Sequence, residues 1–348
     1  MDPPFAEGDI PYTEGTIHFH VPGLPTPCST YYKLFGTLSP SSSSSTPVVG
    51  LHGGPGGTHR AAADFALPLT RDRSIPLIVY DQLGCGFSTN LDDEKGGDES
   101  FWRPELWMDE LDNLLDYFGL RETGFDLLGM SWGAMLGADF VVTRRPRGLR
   151  RLVLGAPVAS AELLVEGVAR RMGELGEEVQ RVLEEGVERG TWTEERYKSA
   201  YKAYMQHCMV RVPDPLPMRF QGLLEWAVAR TKEHDCTNAT VLGLSPIMTD
   251  KTIGSIRGWN VIPRLHRITV PTLIWNGEFD QSHDVCVQPF FDHIPNVRWR
   301  TFAGASHILT YESEELRRGV FELVGDFFAQ GDVDRKESHE NKTNSTTV

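Results

Sequence analysis

The chain of 348 residues is long enough for one catalytic core with an inserted subdomain, because single hydrophobic cores stop growing at about 250–300 residues. A hydrophobic share of 40% and a charged share of 24% indicate a globular protein, and a net charge of -14 excludes nucleic acid as a partner. The acidic N-terminus does not fit a signal peptide and no apolar run reaches about 18 residues, so we expect a soluble, cytoplasmic protein without a membrane partner.

The N-terminal elements are two predicted strands at residues 16–21 and 29–35. His18 and His20 alternate on one face of the first strand. Because no third ligand follows at a suitable spacing, we interpret this face as solvated and predict no metal site. The serine-rich stretch at 39–45 predicts a flexible loop, since its composition cannot build a core.

Six short apolar runs follow, and several are apolar at consecutive positions, which is typical of strands covered on both faces. The runs are 48–51, 77–80, 125–128, 152–154, 272–275 and 297–302. Residues with helical periodicity lie between them, as at Leu106, Met108, Leu111, Leu114 and Leu115. This alternation predicts an α/β fold with a mostly parallel, doubly wound sheet.

The pattern changes between residues 161 and 261, where long amphipathic segments replace the strands. We interpret this range as a helical cap inserted into a core of residues 1–160 and 262–330, with a flexible tail at 331–348. Five cap residues share one predicted helical face: Tyr197, Tyr201, Tyr204, Met205 and Cys208. Packing inside the cap is the favoured interpretation of this face, and a wall of a substrate site is the alternative.

The cysteines are five in number and irregularly spaced: Cys28, Cys85, Cys208, Cys236 and Cys286. An odd number at such spacing fits neither a disulfide framework nor a zinc site. We therefore predict reduced thiols without a catalytic role.

A predicted strand runs directly into Gly129-Met130-Ser131-Trp132-Gly133, and a predicted helix begins directly afterwards. This context is typical of a nucleophile elbow, in which a serine occupies a sharp turn that only flanking glycines permit. Phosphate binding or tight packing could also place a Gly–Ser turn here, so the motif needs support from the rest of the chain.

A glycine-rich loop, His52 to Gly57, follows the run at 48–51. Free N–H groups of Gly53 and Gly54, together with that of Trp132, predict an oxyanion hole. A phosphate-binding loop is disfavoured, because the lysine and hydroxyl of such loops are missing.

A base and its partner should follow the serine, each just after a strand. Asp280 follows the strand at 272–275 and a glycine turn, and His307 follows the strand at 297–302, so the predicted triad is Ser131, Asp280 and His307. The alternatives to Asp280 in this part of the sequence are Glu278, His283, Asp284 and Asp292. Such a triad forms an acyl-enzyme on the serine and requires no cofactor.

These motifs together resemble the proline iminopeptidase family of α/β hydrolases, including its fungal amidase-like members. The resemblance rests on HGGPGG at 52–57, YDQLGCGFS at 80–88, the elbow at 129–133 and GASH at 304–307. It implies the α/β-hydrolase fold with a cap, release of N-terminal residues from peptides or amides, and a structural turn at Asp81 and Gly86.

The sequence departs from that family in the cap. Family members carry a glutamate that binds the free amine of the substrate, and Thr249 stands at its place with Asp250 beside it. The resemblance makes Thr249 and Asp250 candidate substrate-binding residues, with the carboxylate shifted by one position.

Three functions follow from these observations. The first is an aminopeptidase or amino-acid amidase acting on a small molecule or short peptide. The second is a tailoring hydrolase or acyl-transfer enzyme acting on a specialised metabolite, since the triad is intact beside an altered cap. The third, disfavoured because every site element is present, is a non-catalytic binder.

Overall fold

The computed structural model describes residues 10–38, 45–213, 221 and 236–343, so residues 39–44 of the predicted serine-rich loop lie outside it. In this part of the chain eight strands form one sheet in the order β1-β2-β4-β3-β5-β6-β7-β8. The strands are Tyr12–Phe19 (β1), Cys28–Phe35 (β2), Val48–Leu51 (β3), Leu77–Tyr80 (β4), Phe125–Met130 (β5), Leu149–Gly155 (β6), Thr272–Gly277 (β7) and Val297–Phe302 (β8).

The sheet is antiparallel at one edge and parallel elsewhere. β2 pairs antiparallel with β1 and with β4, and every other neighbouring pair is parallel. The prediction of a mostly parallel sheet is confirmed. β1 lies earlier than the predicted strand at 16–21, because Tyr12 already pairs with Phe35, and a turn in which Leu24 donates to the Val21 carbonyl follows the strand.

Helices connect the strands and cover both faces of the sheet. They are His59–Arg73 (α1), Asp92–Lys95 (α2), Pro104–Tyr117 (α3), Leu120–Thr123 (α4), Trp132–Arg144 (α5), Ala161–Gly173 (α6), Glu177–Arg189 (α7), Glu195–Cys208 (α8), Cys236–Leu242 (α9), Asp284–His293 (α10) and Glu314–Thr343 (α11). Short 3₁₀ helices lie at Ile262–Arg267 and Leu309–Tyr311.

Neighbouring residues of the central strands enter two different cores. Leu127 and Leu154 belong to the core covered by α3 and α5, whereas Leu128 and Val153 belong to the core covered by α1 and α11. Both faces are therefore buried, which is why the strands are apolar at consecutive positions. The doubly wound α/β architecture is confirmed.

The range predicted as a cap, 161–261, contributes α6 to α9 among its described residues. An isolated antiparallel bridge joins Ser160 to Asn260. Beside it the N–H of Ala161 donates to the Trp259 carbonyl at 2.9 Å. The two ends of this range are thus paired with each other.

The last helix, α11, continues through Thr343 into the stretch predicted as a flexible tail, and residues 344–348 lie outside the described part. Among the helices described, none is long and apolar enough to cross a membrane.

Four of the cysteines carry free, buried thiols: Cys28, Cys85, Cys208 and Cys286. Burial raises the pKa of the Cys208 thiol to about 12. Since the thiolate is the nucleophilic form, Cys208 is unreactive at neutral pH.

A carboxyl group is enclosed between the sheet and α3. Glu110 is fully buried and is hydrogen-bonded to the Thr30 hydroxyl and, at 3.0 Å, to the N–H of Leu83. Burial raises the pKa of Glu110 from 4.5 to about 8, although both hydrogen bonds act in the opposite direction. The folded protein therefore holds this carboxyl group protonated at neutral pH.

The raised pKa of Glu110 predicts that the stability of the protein depends on pH. The unfolded chain releases the proton near pH 4.5 and the folded chain near pH 8, so the free energy of unfolding should fall as the pH rises between these values. The contribution of this group is at most about 1.4 kcal/mol per pH unit. Glu110→Gln should lose that slope, because its amide can bond both Leu83 and Thr30. Urea unfolding of both proteins across this range measures the effect, and identical pH slopes would contradict the prediction.

Candidate active site

The turn between β5 and α5 holds Ser131 in a backbone conformation that side chains rarely adopt, with φ 54° and ψ -120°. The N–H of Ser131 donates to the Gly155 carbonyl at 2.8 Å, which fixes the turn to β6. A Cβ atom on Gly129 would collide with the carbonyl of Gly133, and one on Gly133 with that of Leu51. The chain can make this turn only because both flanking positions are glycine.

The fold brings Ser131, His307 and Asp280 together. Oγ of Ser131 lies 2.9 Å from Nε2 of His307, and Nδ1 of His307 lies 2.6 Å from Oδ1 of Asp280. Because an ionised carboxylate only accepts hydrogen bonds, Nδ1 carries the proton and Nε2 of the neutral ring is free to accept one. This geometry suits proton transfer from the serine hydroxyl.

The turn after β7 holds the carboxylate of Asp280 in place. Its Oδ1 also accepts the N–H of Ser282 at 2.7 Å, and its Oδ2 accepts the N–H of Gly277 at 3.3 Å. The four alternatives raised by the sequence bond elsewhere: Glu278 to Gly304, His283 to Val285, Asp284 to Asn276 and Asp292 to Gln288. Asp280 is therefore the acid that the fold presents to the histidine.

The cap range also holds both loops that carry the acid and the histidine. The carbonyl of Cys208, at the end of α8, accepts the N–H groups of Gln281 and His307, each at 3.1 Å. Arg171 of α6 is 5% exposed and donates from Nε to the Asp280 carbonyl at 2.8 Å. Sequence reasoning missed this support, because a backbone acceptor at a helix end carries no residue signature.

The glycine-rich loop after β3 lies against the elbow, since a Cβ on Gly53 would stand 3.5 Å from that of Ser131. Nδ1 of His52 bonds the Gly53 carbonyl at 2.8 Å, and its Nε2 accepts the N–H of Gln82 at 3.1 Å. Burial lowers the pKa of His52, so the ring is neutral with its proton on Nδ1. These bonds orient the peptide plane between Gly53 and Gly54.

Trp132 is the first residue of α5, so helix geometry gives its N–H no intrahelical acceptor. Its indole Nε1 donates to Oε1 of Gln82 at 2.9 Å. Trp132, Gly53 and Gly54 all line the cavity that contains Ser131. The three residues predicted for an oxyanion hole thus line one cavity, and Gln82 bonds both His52 and the indole of Trp132.

Asp81 is fully buried beneath this loop. Its carboxylate accepts the N–H groups of His59 at 2.5 Å and Phe87 at 2.8 Å. A Cβ on Gly86 would collide with that carboxylate. Asp81 and Gly86 therefore form the structural turn that the family resemblance implies.

A cavity of about 500 Å³ contains Ser131. Tyr201 and Met205 of α8 line it, whereas Tyr197 and Tyr204 are only 2% and 1% exposed within the core. The predicted aromatic face of the cap is therefore divided, with one part packed inside the cap and the other part forming a wall of the cavity.

Thr249 and Asp250, the residues predicted to bind substrate, lie outside this cavity. Thr249 is hydrogen-bonded to Thr252 at 2.9 and 3.0 Å. Asp250 is exposed in a separate cleft, where its backbone carbonyl accepts a hydrogen bond from Arg257. The fold does not bring the Asp250 carboxylate to Ser131.

Within the described ranges, no three His, Cys, Asp or Glu side chains are grouped so that they could hold a metal ion. His18 and His20 are both exposed.

Comparisons with known proteins find relatives that match most of the chain. The model of the alpha/beta hydrolase family matches residues 48–318. A proline iminopeptidase of Lactobacillus delbrueckii subsp. bulgaricus is 30% identical over 281 residues, 80% of this chain and 88% of that relative. Among solved structures, proline iminopeptidase of Mycobacterium smegmatis gives a TM-score of 0.76 at 30% identity, covering 92% of this chain and 100% of its own. VinJ gives a TM-score of 0.77 at 32% identity, covering 91% and 98%.

The close approach at the elbow predicts that Gly133→Ala destabilises the fold and slows any reaction of Ser131. The new methyl group must displace the Leu51 backbone, and a shift of about 1 Å can reduce a rate about 100-fold. Gly173→Ala at the end of α6 is the control, because a Cβ there meets nothing within 4 Å. Thermal unfolding and the rate of phosphonate labelling measure the two effects. An unchanged Tm and labelling rate in Gly133→Ala would contradict the prediction.

Proposed function

The chain belongs to the α/β-hydrolase family and, within it, to the proline iminopeptidase family, and on this premise we propose that it is a serine hydrolase that cleaves an amide or ester bond through an acyl-enzyme on Ser131. The observation that carries the proposal is the hydrogen-bonded series from Ser131 through His307 to Asp280 beside the cavity. In this proposal Ser131 is the nucleophile, His307 the general base and Asp280 the residue that orients the histidine.

In the acylation step, Oγ of Ser131 attacks the carbonyl carbon of the substrate while Nε2 of His307 takes the hydroxyl proton. Asp280 keeps the proton on Nδ1 and stabilises the imidazolium that forms. The proton on Nε2 then passes to the leaving amine or alcohol. Water, deprotonated by His307, releases the acid and restores Ser131.

We assign the negative charge that develops on the substrate oxygen to the N–H of Trp132 and an N–H of the Gly53–Gly54 segment. His52 would act as a positioning residue, because its bond to the Gly53 carbonyl holds that segment in place. Loss of one such donor typically reduces kcat by about 10²–10³-fold.

Two substrate classes fit this mechanism. Amino-acid amides and short peptides are suggested by the relatives named proline iminopeptidase. The second candidate is a tailoring hydrolase or acyl-transfer enzyme acting on a specialised metabolite. The position of Asp250 outside the cavity favours it, because a free amine bound there would lack this carboxylate as a charge partner.

The proposal predicts covalent labelling of one serine. A fluorophosphonate should add one adduct to the wild type and none to Ser131→Ala, as read by intact mass spectrometry. Ser245→Ala is the matched control and should label normally, because Ser245 lines the same cavity but donates its hydroxyl to the Ile247 carbonyl. Asp280→Asn should label about 10⁴-fold more slowly, since it favours the wrong tautomer of His307. Labelling of Ser131→Ala would overturn the assignment of the nucleophile.

A further inference from the structure

The cavity beside Ser131 is unusually rich in methionine. Five of the nine methionines of the chain line it. They are Met130, Met135, Met205, Met209 and Met248. Methionine is unbranched and flexible, so a wall made of its side chains adapts to apolar ligands of irregular or variable shape.

Three polar side chains in this wall donate hydrogen bonds to backbone carbonyls of the protein. The hydroxyl of Ser282 donates to the Ala156 carbonyl at 2.9 Å, and the amide of Asn238 donates to the Pro55 carbonyl at 2.6 Å. The hydroxyl of Ser245 donates to the Ile247 carbonyl at 2.7 Å. These donors hold the loops around the cavity together, so they are not available to a ligand in this arrangement.

Among the described residues that line the cavity, none is Asp, Glu, Lys or Arg. The carboxylate of Asp280 is fully buried behind His307, and Asp250 lines a different cleft. Among these described residues a substrate ammonium group would find no carboxylate to pair with, and an unpaired charge is costly in an apolar environment. The lining therefore favours a neutral group.

The size of the cavity favours a large hydrocarbon group. Its volume of about 500 Å³ lies within the range of roughly 300–1,000 Å³ of cavities that enclose drug-sized ligands. Such a volume accepts a hydrocarbon group considerably larger than the side chain of one amino acid. The lining methionines, which come from β5, α5, α8 and loops of the cap range, would then pack along a chain or ring system.

We propose that the substrate of this hydrolase carries an uncharged, largely hydrocarbon group, longer than one amino-acid residue, on one side of the scissile carbonyl. The inference rests on the proposed function, because it assigns the ligand of the same site. Its physical basis is the methionine wall and the absence of Asp, Glu, Lys and Arg from the described lining residues. It predicts that the enzyme prefers such compounds over substrates with a free α-amine.

Two ester series identify the side on which the hydrocarbon group lies. In one, the acyl chain grows from acetyl to decanoyl on a constant nitrophenol. In the other, acetate esters carry alcohols from methyl to decyl. In one series kcat/KM should rise severalfold per methylene, about fourfold where each methylene is fully buried. If fluorophosphonate labels Ser131 but both series are flat or unhydrolysed, the inference is wrong and the hydrolase assignment survives. If Ser131 is not labelled, the proposed function itself fails.

A matched pair of amides tests the exclusion of an amine. The anilides of leucine and of 4-methylpentanoic acid share one skeleton and differ in the α-ammonium group. We expect the compound without the amine to have a kcat/KM at least about tenfold higher, because it brings no charge into the neutral lining. A preference for leucine anilide would overturn the inference.

A carboxylate introduced into the wall should reverse that preference. Met205→Glu should favour leucine anilide, since the new carboxylate can pair with its ammonium group. Gln206→Glu is the control, because it adds the same charge at the adjacent position, which is not among the lining residues described. Thermal unfolding establishes whether each variant is folded, and the wild-type comparisons stand if Met205→Glu is not. If both variants shift the preference equally, the result would contradict the assignment of Met205 to the wall that contacts the substrate.

Discussion

The site depends on the close approach of two backbone segments at Ser131. Neither glycine beside the serine leaves room for a Cβ, and Gly133 lies against the carbonyl of Leu51 at the end of β3. This contact also sets the glycine loop that begins at His52 beside the Ser131 hydroxyl. The unfavourable φ of Ser131 is sustained by β5, which has a parallel neighbour on each side and cannot relax without disturbing the sheet.

The cap range contacts the loops of Asp280 and His307 and the cavity through different atoms. Its backbone carbonyl at Cys208 and the guanidinium of Arg171 hold the loops of His307 and Asp280. Its side chains, Met205 among them, form part of the cavity wall. A displacement of α8 would therefore alter the shape of the cavity and the support of the histidine together. Substitutions on the cavity side can change the wall without breaking these backbone bonds.

Local signals in the sequence were sufficient for most of the architecture. Apolar runs located the inner strands, and glycine turns after strands located the three residues that the fold brings together at Ser131. The remaining features depend on contacts between distant segments. The bond that sets the tautomer of His52 and the acceptor role of Cys208 have no residue pattern, and the methionines meet only in the folded chain. The family resemblance made Asp250 a candidate for substrate binding, but the fold places this residue at a different cleft from the one that contains Ser131.

The central claim is that Ser131 attacks a carbonyl whose oxygen is held by the N–H of Trp132 and by the Gly53–Gly54 segment. A crystal structure of the phosphonylated protein tests it most directly, because the adduct resembles the tetrahedral intermediate. The account predicts phosphorus bonded to Oγ of Ser131 and a phosphonyl oxygen about 2.7–3.1 Å from both N–H donors. Phosphorus on another residue, or an oxygen directed away from both donors, would contradict it.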